Sequence, residues 1–356
     1  MPANSLYHTW FDRIRQLCPE ARKALVHNFT WLLVGIYKSR TVHLSLIANK
    51  IPGLAKLPSK VQRLRRLLLG RIYVRKWYDP LAEELLKSQA QHGHIRLIVD
   101  GTRVSFHHQL LMVSLAYRRR SIPIAWTWVK GKRGHSSAIK QLALLRHIYK
   151  LIPKTASVSL VGDSEFGSVA LLRQLDDWEW QYALRQRGNI LVDLTLHNQW
   201  QPFAGLVQRQ GQSFWFAEGF LTQEHYYRTN LLAYWRRGEK EPWLLATNFS
   251  TQRETLRAYR IRMWIEEMFG DFKGHGFDLE SSHLRHFVRL SRLTLAVVLL
   301  YLWLVVLASR VIKNGLRSLV DRADRRDFSI FRIGYNMAER CLANIQPFSI
   351  SFVPCF

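Results

Sequence analysis

The sequence predicts a mixed α/β protein: a helical N-terminal region over residues 1–92, an α/β core over 93–310 with a β-rich insertion at 189–250, and a helical C-terminal region over 311–356. Three observations predict it. Residues 1 to about 90 show long polar–apolar periodicity with no sustained strand signal. From residue 95, apolar runs of strand length alternate with helical patterns. Beyond 189, short strand-like runs are separated by Gly and Gln, and helical periodicity returns at about 251.

At 356 residues the chain has room for about two domains and a sizeable core. Lys and Arg number 52 against 26 Asp and Glu, a net charge of +26, and the isoelectric point is near 10.5. The excess is spread along the chain, so it describes a broad anion-binding surface. Nucleic acid is the first partner it suggests and a membrane surface the second. Thirteen Trp and thirteen Tyr add stacking capacity, although most aromatics pack in cores. Cys18, Cys341 and Cys355 have no paired or zinc-type spacing, which predicts a reducing cytoplasm. The N-terminus lacks the charged-then-apolar pattern of a secretory signal. One apolar run, residues 293–308, has sixteen residues; a membrane-spanning helix needs ~20, so the run is predicted as a buried core helix.

In chain order, residues 41–51 predict a short helix broken at Pro52 and Gly53, and Ser59 is predicted to cap a basic helix carrying Lys60, Arg63, Arg65 and Arg66. Two short helices around a Gly-containing turn suggest a helix-turn-helix; the alternative is a basic bundle packed on the core. Either leaves a positive surface for phosphates. Strands are then predicted at 95–100, ending in Asp100, and at 110–117 and 122–129, an antiparallel meander. A basic loop with Lys130, Lys132, Arg133 and His135 leads into a helix over 137–150. A strand over 157–163 delivers Asp163, followed by a helix over 167–176 and a strand over 178–187. The insertion contributes strand-like runs at 191–196, 213–220, 226–235 and 243–248.

A single helix is predicted from about 251 to 273, stopped by Gly274 and Gly276. On it Tyr259, Arg262, Glu266 and Lys273 sit at offsets 0, +3, +7 and +14. At about 100° per residue they fall within roughly 60° of arc, so one carboxylate shares a stripe with a phenol, a guanidinium and an ammonium. Such an edge suits an acid that holds a metal and donors that steady a phosphodiester. Arg262 and Glu266 are equally an ordinary i,i+4 pair on a solvated face. Asp100–Gly101 and Gly162–Asp163–Ser164 are likewise turn-like by themselves.

The spacing Tyr, two residues, Arg, three residues, Glu, six residues, Lys resembles, without gap or substitution, the signature of the IS-four group of bacterial insertion-sequence transposases. The resemblance covers about residues 95–310 and implies a ribonuclease-H-like core in the order three strands, helix, strand, helix, strand, with a mostly β insertion before the Glu. It implies that Asp100, Asp163 and Glu266 are the catalytic acids and hold two Mg²⁺ ions about 3.5–4 Å apart, with Mn²⁺ as a substitute. It also implies that Tyr259, Arg262 and Lys273 handle phosphates and the terminal nucleotide. The implied activity is cut-and-paste transposition: cleavage at the ends of a mobile element and joining of the freed 3′ ends to a target. The implied partners are double-stranded DNA, as transposon ends and target, engaged by a homodimer at the nucleoid in the cytoplasm. Some members use a tryptophan of the insertion where a base is flipped out; Trp215, Trp235 and Trp243 compete for that place here, and core packing is the ordinary role of each. Glu165 and Glu267 lie near the acids without matching the signature, and His107–His108 lacks zinc spacing. The rival readings are a metal-dependent nuclease that cuts without joining, a non-catalytic DNA-binding protein on the same fold, and a basic membrane-associated protein using 293–308.

Overall fold

The computed structural model describes residues 2–104, 108–131, 136–195, 197–322 and 324–356; His107, Lys132, Arg133, His135 and Leu196, named above from the sequence, lie outside them. Five helices come first: α1 (Pro2–Leu17), α2 (Lys23–Ser39), α3 (Leu44–Asn49), α4 (Leu57–Leu69) and α5 (Val74–His92). Strands β1 (Ile95–Arg103), β2 (His108–Tyr117) and β3 (Arg120–Lys130) are followed by α6 (Ala138–Leu151), β4 (Val158–Gly162), α7 (Val169–Asp177) and β5 (Gln181–Arg185). The insertion supplies β6 (Leu191–Asp193), β7 (Gln201–Pro202), β8 (Ser213–Leu221), β9 (Tyr227–Tyr234) and β10 (Trp243–Thr247). Helices α8 (Gln252–Tyr259), α9 (Met263–Phe272), α10 (Phe287–Lys313) and α11 (Ile330–Ala343) complete the chain. Its contacts divide into two compact units: Met1–Ser88, Val104–His108 and Glu267–Phe356 form one, Gln89–Arg103 and Gln109–Glu266 the other.

The second unit is built on the sheet, whose strand order is β3-β2-β1-β4-β5-β10-β9-β8-β6-β7. β1 pairs antiparallel with β2 and parallel with β4, and β4 is parallel to β5. Order 3-2-1-4-5 with a meander followed by parallel crossovers is the ribonuclease-H-like topology. Leu97, Ile98 and Val99 are all buried, as a central strand covered on both faces requires. Arg118 and Arg119 connect β2 to β3 with φ of 44° and 63°, the two left-handed residues of a type I′ hairpin turn. The insertion extends the same sheet, because β10 pairs antiparallel with β5 at Ala183–Arg185. β1 also runs three residues past Asp100, to Arg103, where the sequence predicts its end at the acid.

The helical unit centres on α10, which is buried nearly all round, as a helix apolar on every face must be. Trp303 meets Trp10 edge-on at 5.5 Å, and Tyr301 stacks on Phe331 at 5.6 Å. The helix is 27 residues long, not sixteen, and therefore long and apolar enough to cross a membrane. Length is thus no reason to read it as core; the supporting observation is that 83% of its most apolar window is buried. Helix α4 begins at Leu57 with Pro58 in the first turn and no side-chain cap, so Ser59 is an early helical residue and not the cap. Residues 50–56 connect α3 to α4, longer than the 3–4-residue turn of a compact helix-turn-helix.

Helix α11 crosses α10 at Gly334, where an added Cβ would stand 1.9 Å from the carbonyl oxygen of Leu304. Backbone cannot yield as a side-chain tip can. Gly334→Ala is expected to destabilise the chain by about 3 kcal/mol or more, visible as a fall of at least several degrees in thermal midpoint. An unchanged midpoint would contradict this packing.

Candidate active site

The three candidate acids come from three elements; β1 and β4 touch each other and the turn that leads into α9. Asp100 lies inside β1, where the sheet fixes its backbone, and its Oδ1 accepts a hydrogen bond from the Gly101 N–H at 2.7 Å. Asp163 follows the last residue of the adjacent parallel strand β4, so the two carboxylates issue from neighbouring strands. Its Oδ1 accepts from the Glu165 N–H at 2.9 Å and caps a short 3₁₀ turn over Ser164–Phe166. The turn-residue reading of Asp163 is therefore correct: its side chain closes the turn that follows β4.

Glu266 sits in the first turn of α9. The single helix predicted over 251–273 is in fact broken: α8 ends at Tyr259, and Arg260–Arg262 form a 3₁₀ turn before α9 begins at Met263. A 3₁₀ residue advances the chain by about 120° instead of 100°, so three of them bring Arg262 round to about the bearing of Tyr259 and leave Tyr259 at the edge of the predicted stripe. Tyr259 turns inward, 2% exposed, edge-on to Trp243 at 5.0 Å. Its hydroxyl is buried with no hydrogen-bond partner among the described residues. Burial pushes that phenol up to about 12.

Arg262 joins the acids. Its Nη1 donates to Glu266 Oε1 at 2.6 Å and lies 3.5 Å from Asp100 Oδ2, across 162 positions of sequence. Burial opposes the guanidinium charge, but Tyr259, Asp100 and Glu266 hold its pKa above the usual arginine value. Asp100 is buried and pushed up to about 8, first by desolvation and then by the Asp163 carboxylate; Arg262 and the Gly101 N–H act against the rise, and Glu266 adds to it. Asp163 and Glu266 thus both act on the charge of Asp100. Among the described residues no three His, Cys, Asp or Glu side chains are close enough together to hold one metal ion. The donor set still fits a hard divalent cation: carboxylate oxygens whose mutual repulsion needs positive charge between them, with a guanidinium now standing between two of them.

Lys273 belongs to the helical unit, where its Nζ pairs with Glu280 Oε1 at 2.9 Å. Trp235 donates through Nε1 to the Glu239 carbonyl, and Trp215 lies on β8 opposite Leu232. His108 is buried edge-on to Phe287. Glu165, which lies outside the sequence signature, proves to be a structural residue. Its carboxylate accepts from Gln109 Nε2 at 2.9 Å and from the Ser136 N–H at 2.7 Å. Its carbonyl accepts from Gln141 Nε2 at 2.9 Å. This buried network pins the turn after Asp163 to β2 and to the start of α6. Its members are 24 to 56 positions apart and carry no local signal.

Sheet order and the two strand-borne acids define the ribonuclease-H-like class. Residues 91–303 match the family described as the transposase DDE domain, and the chain belongs to that family of DNA-processing enzymes. The matched segment contains all six residues singled out by the sequence. No curated protein matches the chain in sequence. Among solved structures the chain is similar to the piggyBac transposase, seen by cryo-EM in a synaptic complex with hairpin DNA, at 9% identity and a TM-score of 0.44, over 98% of this chain and 83% of that one.

Proposed function

We propose that this transposase performs cut-and-paste transposition of an insertion sequence of the IS-four group, cleaving double-stranded DNA at the element's ends and joining the 3′ ends to a target. The observation that carries the reading is the Arg262 guanidinium between Asp100 and Glu266, with Asp163 acting on the same buried carboxylate. Asp100, Asp163 and Glu266 would hold two Mg²⁺ ions. Bound there, the ions supply an activated water or 3′-hydroxyl and stabilise the leaving oxygen. β1 and β4 hold the aspartates in a fixed orientation, and α9 brings the glutamate to them. Arg262 lessens the repulsion between Asp100 and Glu266, and its guanidinium would be the donor to the phosphodiester. Tyr259, with a buried hydroxyl lacking an acceptor, would find one on the substrate. Lys273 would contact a phosphate near the end. The helical region over 1–92 would hold the end duplex through its basic surface, within a homodimer acting at the nucleoid.

The test is incubation of the DNA flanking the gene with the protein and Mg²⁺. Strand breaks at fixed positions followed by joined products are the expected result; breaks without joining would favour the nuclease reading. Binding to the same duplex should weaken steeply with salt, with a log–log slope of about −0.9 for each phosphate neutralised. A flat salt response would remove DNA as the partner.

A further inference from the structure

We infer that the outer face of α8 and of the turn after it is a track for the DNA backbone, with Arg253, Arg257 and Arg260 each taking a phosphate. The proposal rests on the transposase reading and extends it to residues outside the acid-bearing stripe. α8 has two faces. Thr255 and Tyr259 are buried, and the helix packs on β4 and β5, the strand that delivers Asp163 and its neighbour. Arg253, Arg257 and Arg260 follow at offsets 0, +4 and +7, within about 60° of arc at helical spacing. All three are exposed and, with Gln252 and Leu256, line a groove of about 490 Å³.

Among the described residues none of the three has a carboxylate partner, whereas Arg185 pairs with Glu241, Arg228 with Glu218 and Arg317 with Asp321. The acid nearest in sequence, Glu254, is committed to the helix cap through a 3.0 Å hydrogen bond from Thr251 Oγ1. Like charges four apart weaken a helix by a few tenths of a kcal/mol. A short helix and the turn after it, carrying three such charges without relief, are arranged for an anion supplied from outside. The same segment runs directly into Arg262 and Glu266, so a strand lying along it would approach the acids. A duplex backbone, repeating its charge along the groove, fits better than an isolated anion. The duplex could be the transposon end or the target; the phosphate chemistry is shared.

The experiment compares wild type with Arg253→Gln/Arg257→Gln/Arg260→Gln and with the corresponding triple Lys variant. Affinity for a duplex of arbitrary sequence and for the DNA flanking the gene is measured over a salt series, with poly-glutamate as an anion that lacks phosphate. The Gln variant should lose about 10- to 100-fold in duplex affinity at ~0.1 M salt, and its log–log slope should become shallower by about 2 to 3. The Lys variant, which keeps the charge, should retain most of the slope. A loss confined to the flanking DNA assigns the track to the transposon end; an equal loss on both duplexes assigns it to any backbone, target included. If the triple Gln variant fails to melt cooperatively, each single Gln variant should make the slope shallower by about 0.9. Slopes unchanged in folded variants would overturn the track and leave the transposase reading standing. Wild type that binds no duplex would overturn both. Loss of poly-glutamate binding with duplex binding intact would overturn the track in favour of an acidic protein partner.

Discussion

Glu266→Gln is expected to reduce Mg²⁺-dependent cleavage of DNA bearing the element's ends by about 10³-fold or more, while binding to the same DNA persists. The substitution keeps the shape of the side chain and its ability to accept from Arg262 Nη1 at 2.6 Å. It removes the charge that a divalent ion requires. Arg262 still has Asp100 at 3.5 Å, so the variant should remain folded and should melt close to wild type. Lys273→Ala makes the complementary case. Its partner Glu280 is half-exposed, and losing that pair should cost no more than about 0.5 kcal/mol. The variant should cut, but bind the end or complete joining less well. Undiminished cutting by Glu266→Gln would reduce the Arg262–Glu266 pair to an ordinary helix contact.

Asp100→Asn should stabilise the metal-free protein at neutral and alkaline pH while abolishing cleavage. The Asp100 carboxyl is raised to about 8, chiefly by burial and then by Asp163; in the unfolded chain it would titrate near 3.9. The native state therefore holds this proton more tightly than the unfolded state. The stability it contributes is fully present below about pH 4 and is lost progressively as pH rises towards 8. In a chelator, the thermal midpoint of wild type should fall across that window by several degrees more than that of Asp100→Asn. Adding Mg²⁺ should recover most of the loss in wild type and little in the variant, because a cation meets the need that protonation meets without it. Identical pH profiles for the two proteins would mean that Asp100 carries no strained charge.

How much of this could be read from the sequence depended on whether the signal was local. Apolar runs ending at Asp100 and Asp163, and the i,i+4 pair Arg262–Glu266, follow from strand and helix periodicity, which nearest neighbours in the chain fix. Those runs were enough for the element order of the core; the aspartates, turn-like by themselves, became candidate acids only through the Tyr259–Lys273 spacing downstream. The break at Arg260–Arg262 was not visible: Arg-Ile-Arg is a sound helical sequence, and only packing, with Tyr259 drawn inward against Trp243, tightens it into a 3₁₀ turn. Extension of the sheet through β5 and β10 was equally invisible, because strand partners 62 positions apart leave no local trace. The approach of Arg262 to Asp100 across 162 positions and the Glu165 network belong to the same kind. Residue pattern alone determined the elements, the basic charge and the candidate acids. The tertiary structure alone decided which charge stands between those acids and which arginines have no carboxylate partner among the described residues, since both depend on neighbours that meet only when the chain is folded.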